Sequence, residues 1–182
     1  VIIEGHPLVF IEEGNIGDFV YKVENRVNLN EIRPDLQENL DRHAHLYDEN
    51  RPKAVARRKQ HNQRTARENI ADLFDVGTFI EYGSMVLAAQ RERRSIDWLR
   101  ENTPADGLIM GIGHVNGALF RKKESRCAVV HYDYTVLAGT QGLWNHNKQD
   151  RIFQLAERFR LPVILYSEGG GGRPGDTDGP GS

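Results

Sequence analysis

The apolar positions change period several times along the chain. Ala66, Ile70, Leu73 and Phe74 recur at helical spacing within a polar stretch, which predicts a mostly helical segment over Lys53–Phe74. Asp75-Val76-Gly77 closes it, because glycine enters a left-handed cap without a Cβ penalty, and Phe79–Tyr82 follows as a short strand. Ala88–Leu99 reads as a basic helix, and Asn102–Gly107 as a loop. Leu108–Val115 and Ala118–Arg121 flank Asn116-Gly117, a dipeptide suited to the positive φ values of a type I′ hairpin turn. Cys127–Tyr132 is a near-continuous apolar run, as expected of a strand covered on both faces. Ile152, Leu155, Ala156 and Phe159 mark one face of a helix over Asp150–Phe159, and Leu161–Tyr166 reads as a second buried strand.

The first part of the chain is poorer in such signals. Val1–Glu12 reads as two short strands around Glu4-Gly5-His6-Pro7, too small to bury a core alone. Residues 13–52 read as a polar connector, with a short helix over Asn30–Leu40 interrupted by Pro34. A hairpin, a buried strand, a helix and another buried strand predict an α/β fold. Residues 127–167 form one strand–loop–helix–strand unit of the kind that pairs in parallel.

Composition excludes several functions. The formal net charge is -2, which offers no overall attraction to nucleic acid or an anionic membrane. Arg51–Arg67 holds seven basic residues and no acidic one, but without interleaved aromatics it reads as a solvated helix face. The longest apolar runs are too short to span a bilayer. The one cysteine, Cys127, excludes an internal disulfide and any cysteine-based metal site, and fits a reducing compartment. His131 and His146 have no further ligands at metal spacing and read as structural or solvated. No signal-peptide pattern opens the chain and Val1 is not an initiator methionine, so the expectation is a start inside a longer gene product.

Two segments can carry chemistry. Gly169-Gly170-Gly171-Gly172 follows a strand, where ligands sit in open α/β sheets. Glycine lets backbone approach a ligand closely, and successive N–H groups can converge on a developing negative charge. That suits an oxyanion hole for a thioester or enolate, or a phosphate cradle; a flexible loop is the alternative. No Gly-Lys-Ser/Thr follows, and Pro174-Gly175 opposes the helix that a dinucleotide fingerprint needs. The other segment, Asp133–Gly142, also follows a strand and precedes a helix, so it suits a phosphate or carbonyl or is an ordinary crossover.

Three segments together carry a resemblance. Gln63–Glu81, with its arginine-rich helix and Asp75-Val76-Gly77-Thr78-Phe79-Ile80-Glu81 turn, resembles the opening of the carboxyltransferase family of biotin-dependent acyl-CoA carboxylases. Ala105-Asp106-Gly107-Leu108-Ile109-Met110-Gly111-Ile112-Gly113 with Asp133-Tyr134-Thr135-Val136 is similar to the family's Asp-Gly-Val-Val-x-Gly-x-Gly start and Asp-Phe-Thr-Val loop. Leu155–Leu165 closes on Gly170-Gly171-Gly172-Arg173, where the common form is Ser-Gly-Gly-Ala-Arg. Gly169, Gly172 and Pro174-Gly175-Asp176 depart from that form and resemble the single-chain, multidomain carboxylases.

The resemblance implies a partial crotonase-like fold over residues 53–182, after a linker over 14–52 and the closing hairpin of a biotinyl domain over 1–13. It implies transfer of a carboxyl group from carboxybiotin to the α-carbon of an acyl-CoA, and a role in fatty acid metabolism. Gly170, Gly171 and Gly172 would form the oxyanion region, and Gly169, Arg173, Thr140, Gln141 and Gly142 the acyl-CoA site, with no metal. Biotin would be carried on a biotinyl domain, since no Met-Lys-Met occurs here. ATP and Mg would belong to a separate biotin carboxylase domain or subunit. The second crotonase-like half is not in this sequence, so the chain alone should be inactive. A cytoplasmic homo-oligomer is implied, with no nucleic acid or membrane partner. The alternatives are a biotin-dependent acyl-CoA decarboxylase subunit and a non-catalytic module binding CoA or a nucleotide phosphate.

Overall fold

A computed structural model describes Asn28 and residues 30–178. The two strands expected over Val1–Glu12 lie outside the described residues. The chain divides into two compact units, Val1–Ile32 and Arg33–Ser182, and all that follows concerns the second. Of the connector expected over 14–52, residues 14–27 and 29 also lie outside the described residues.

The order of elements is α1 (Pro34–Ala44), α2 (Pro52–Gln60), α3 (Ala66–Leu73), β1 (Ile80–Glu81), α4 (Ile96–Asn102), β2 (Leu108–His114), β3 (Arg126–Tyr132), α5 (Leu143–Phe159) and β4 (Val163–Tyr166). The strands form one sheet in the order β1-β2-β3-β4. β1–β2 and β2–β3 are antiparallel, while β3–β4 is parallel through the α5 crossover. This is the expected α/β unit over 127–167.

Alternation along β2 and β3 builds a core on each face of the sheet. Leu108, Met110, Ala128, Val130 and Tyr132 pack against Ile152 and Ala156 of α5. Ile109, Cys127 and Val129 pack against Ala66 and Ile70 of α3 and against Phe74. Each such aliphatic side chain contributes roughly 1.5–3 kcal/mol by leaving water. Phe74 also stacks on Phe79 with ring centroids 5.0 Å apart.

Several expectations are corrected. Pro34 opens α1 at its first turn instead of interrupting it, where its missing N–H has no partner to lose. The helix expected over Lys53–Phe74 is two helices. Thr65 restarts it with a capping box, accepting from Glu68 N while Glu68 accepts from Thr65 N. Of the basic helix expected over Ala88–Leu99, only the part from Ile96 is helical, and Ser95 caps it.

The Asn116-Gly117 hairpin does not form. β2 pairs instead with β3, from Leu108 opposite Tyr132 to His114 opposite Arg126. The Asp75 carboxylate accepts from both Asn116 N (3.1 Å) and Gly117 N (2.7 Å), which draws the dipeptide into a longer connection. β4 is an edge strand, with Val163 and Leu165 exposed, not the buried strand its composition suggested. Finally, α5 begins at Leu143, seven residues before the expected start at Asp150.

Candidate active site

The parallel pair places the two candidate loops side by side. The chain leaves β3 into 133–142 and leaves β4 into 167–173, so both loops emerge at carboxyl ends of neighbouring strands. Main-chain bonds join them: Gly170 N to Ala138 O (3.3 Å), Gln141 N to Gly171 O (2.8 Å) and Arg173 N to Gln141 O (2.7 Å). Gln141 and Gly172 form a parallel bridge. Two glycines permit this approach. A Cβ on Gly139, whose φ is +65°, would meet the Glu168 carbonyl, and a Cβ on Gly169 would meet the Gly139 carbonyl.

All eight candidate residues therefore lie in one place, but in different settings. Gly170 spends its N–H on Ala138 O. Gly171 and Gly172 are exposed, a Cβ on either would meet nothing within 4 Å, and among the described residues their N–H groups donate to no protein acceptor. Thr140 donates its hydroxyl to Leu137 O and accepts from Arg173 Nε. Gly142 caps α5, and a Cβ there would run into the Asp176 carboxylate and the Arg173 guanidinium.

Arg173 faces inward. Its side chain is 4% exposed and is paired with Asp106, which is fully buried, while Asp176 lies 3.7 Å away. Arg173 Nη2 also donates to Thr140 O (2.8 Å). The guanidinium expected at the CoA site thus reaches the body of the domain and braces both loops. Burial pushes the Asp106 carboxyl up, and the Arg173 guanidinium opposes that shift.

The same carboxylates explain where α5 begins. Asp176 Oδ2 accepts from Leu143 N and Asp106 Oδ2 from Asn145 N, both at 2.8 Å. These bonds satisfy donors that a helix start leaves open, and the negative charge complements its dipole. Asp106 and Asp176 stand in the family-like segments, but nothing in the sequence assigns either one this capping role. Their partners are 39 and 33 residues away, beyond the reach of local capping patterns.

The basic run is divided: Lys53, Arg57, Lys59 and Arg64 are exposed, as expected of a solvated face, while three arginines turn inward into this framework. Arg51 pairs with Asp133, Arg58 with Glu168, and Arg67 with Glu81. Their guanidinium-bearing side chains are 9%, 8% and 12% exposed, respectively. Arg58 holds both oxygens of Glu168, at 2.7 and 3.0 Å, and lies over the Tyr134 ring. His131 is structural, as expected. It donates from Nδ1 to Tyr132 O, accepts at Nε2 from Asn69, and stacks on Tyr166. The Tyr132 carbonyl can only accept and the Asn69 amide nitrogen only donates, so the tautomer is set. Burial also pushes its pKa down.

A cavity of about 540 Å³ opens beside the loops, lined in part by Arg57, His61, Trp98, Tyr134, Leu137 and Ala138. A more apolar groove of about 510 Å³ between α1 and α4 is lined by no residue of either loop. Among the described residues, no His, Cys, Asp and Glu side chains cluster as a metal site, and no helix is long and apolar enough to cross a membrane.

Residues 57–178 match the family model described as the carboxyl transferase domain. The chain belongs to that family. Its fold is accordingly the crotonase-like one, of which the four-stranded sheet is a part. The carboxyltransferase domain superimposes on a single-chain, multi-domain long-chain acyl-CoA carboxylase with a TM-score of 0.77 and 56% identity, over 83% of this chain and 15% of that one. A propionyl-CoA carboxylase beta chain from Saccharopolyspora erythraea is 29% identical over 77% of this chain and 25% of its own length. A methylmalonyl-CoA decarboxylase subunit alpha from Propionigenium modestum is 29% identical over 63% of this chain and 21% of its own length. The chain thus spans a quarter or less of each of these relatives.

Proposed function

We propose that this domain is the acyl-CoA-binding half of a carboxyltransferase in a single-chain, biotin-dependent acyl-CoA carboxylase, and that Gly171 and Gly172 donate to the thioester oxygen. Carboxylation removes a proton from the α-carbon; the electron pair left behind forms the new C–C bond to the carboxyl carbon as that carbon's bond to the ureido nitrogen of carboxybiotin breaks, and the departing ureido group takes up the proton. Negative charge gathers meanwhile on the thioester oxygen. The observation that carries the reading is the pair of exposed N–H groups, held by a rigid frame and lacking protein acceptors among the described residues. Donors placed in advance at such an oxygen are the largest common source of rate enhancement.

The rest of the domain then has a division of labour. Gly169, Thr140, Gln141 and Gly142 shape the wall along which the pantetheine arm runs. Arg173 holds that wall without touching substrate. Arg57 and His61, in the neighbouring cavity, supply cationic and polar partners for CoA phosphates, with Trp98 and Tyr134 beside them. Glu168 is not available as a base, since Arg58 holds both its oxygens.

Carboxybiotin, borne on a biotinyl domain, would supply the carboxyl group. No side chain described here is assigned to it, and the second oxyanion site, for the ureido oxygen, is expected from a second crotonase-like half. Biotin carboxylase, with ATP and Mg, would act elsewhere. The exposed Gly170–Gly172 edge and the exposed face of β4 suit a site completed by another half-domain, which an oligomer of the complete protein would bring from a second subunit. The identity of 56% to a carboxylase favours carboxylation over the decarboxylase alternative.

The test is transfer of labelled carboxyl from carboxybiotin to acyl-CoA by the complete protein that carries this chain. Gly171 has φ +85°, which a β-branched residue cannot keep, so Gly171→Val re-aims its N–H. Transfer should fall roughly 10²–10³-fold, the loss expected for one oxyanion donor. A folded variant with unchanged transfer removes Gly171 from the site, and a complete protein that transfers no label removes the carboxylase reading.

A further inference from the structure

The frame under the glycine loop rests on an unusual turn. Ala105, Asp106 and Gly107 are successive left-handed residues, with φ of 54°, 48° and 69°. The first two carry a Cβ, so they do not take this conformation without support. The turn matters because Asp106 is the partner of Arg173 and a cap of α5.

The support comes from a single face of α5. Lys148 Nζ donates to Ala105 O (2.6 Å), at the first residue of the turn, and to Leu108 O (2.5 Å), just beyond its last. One helical turn earlier, Asn145 Nδ2 donates to Asp106 O (3.1 Å). Residues three apart share a helix face, so both side chains reach the same turn. Lys148 is buried, and a Cβ on Gly83 would stand 3.1 Å from its Cε. Glycine at 83 therefore leaves room for the lysine stem. A lysine interior to a domain is a costly choice for a merely packed position, and the proposed chemistry makes no direct use of it.

We propose that Lys148 is a positioning residue for carboxyl transfer. It acts through the left-handed turn, which sets Asp106, which in turn sets Arg173 and, through Thr140 and Gln141, the direction of the Gly171 and Gly172 N–H groups. The proposal rests on the oxyanion role assigned to those glycines. Lys148 touches no substrate.

The test uses the complete protein carrying this chain, with carboxyl transfer to acyl-CoA as the assay. Lys148→Met keeps the stem and removes the donor; Lys148→Arg restores a charged donor. Small displacements of positioned groups lower rate by about 10²-fold. Lys148→Met should therefore reduce kcat by roughly 10- to 100-fold with KM for acyl-CoA changed less than about threefold, and Lys148→Arg should recover part of the loss. Amide exchange at Gln141, Gly170 and Arg173, whose N–H groups are bonded across the two loops, should quicken in Lys148→Met, which a residue that only fills space would not cause.

A folded Lys148→Met with normal kcat overturns the proposal. If Met does not fold, Lys148→Gln takes its place. If neither folds, Lys148 is a determinant of the fold and the proposal falls. The outcomes also separate the two ideas. A loss with Gly171→Val but not with Lys148→Met refutes the positioning role alone, whereas no loss with Gly171→Val refutes the oxyanion reading beneath it.

Discussion

Asp106→Asn tests the frame of the site by the smallest available change. The amide keeps the shape of the carboxylate and can still accept from Asn145 N, but the charge facing Arg173 is lost. Both members of the pair are almost wholly buried, so the guanidinium would remain in the interior without its main partner. Breaking a buried pair from one side costs about 3–5 kcal/mol. Two features favour the lower end. Asp176 Oδ1 stays 3.7 Å from the same Nη1, and burial already opposes the Asp106 charge. The expected loss is therefore about 3 kcal/mol, or roughly 6–12 °C in the melting of a domain of this size. Scanning calorimetry of the complete protein, following this domain's transition, measures it. Asp106→Asn combined with Arg173→Gln should cost less than the sum of the single changes, because no uncompensated charge remains. A shift for Asp106→Asn under about 2 °C, or strict additivity in the double variant, would refute the view that the pair braces the two loops.

Two further outcomes follow from single contacts. Gly113→Ala would drive a Cβ into the Phe74 ring and should lower the unfolding free energy by about 1–3 kcal/mol; a wild-type urea midpoint would contradict that packing. Burial pushes Lys148 from 10.5 down to about 8, against the pull of Glu81 and Asp106. Between about 8 and 10.5 the unfolded chain then binds more protons than the folded one, so stability rises with pH across that window, by roughly 3 kcal/mol. The difference in unfolding free energy between wild type and Lys148→Met should show this rise, and a difference flat in pH would contradict it.

What could be read from the sequence was local or ordered. The apolar run at Cys127–Tyr132, the helical face of Ile152, Leu155 and Ala156 (with Phe159, included in that face, exposed), and the succession of three family-like segments point to an α/β carboxyltransferase domain and to two loops that the structure places side by side. What could not be read depends on distant partners. Asn116-Gly117 is a hairpin signal only while its N–H groups are free, and Asp75 takes both. The start of α5 is set by Asp106 and Asp176, neither adjacent in sequence. Nothing local separates Arg51, Arg58 and Arg67 from the exposed Lys53, Arg57, Lys59 and Arg64, because their acids, Asp133, Glu168 and Glu81, lie on other elements. The Ala105-Asp106-Gly107 turn read as a plain loop, since nothing local predicts that Lys148 would hold alanine and aspartate left-handed.

In the proposed complex the Gly171 and Gly172 N–H groups meet the thioester oxygen. Isotope-edited infrared spectroscopy of carbonyl-labelled acyl-CoA bound to the complete protein tests this contact directly. Hydrogen bonds at that oxygen weaken the C=O bond, so the stretch should shift to lower frequency in the wild type and return toward the free value in Gly171→Val. A bound carbonyl that absorbs where free acyl-CoA does, or a shift that survives Gly171→Val, would contradict it.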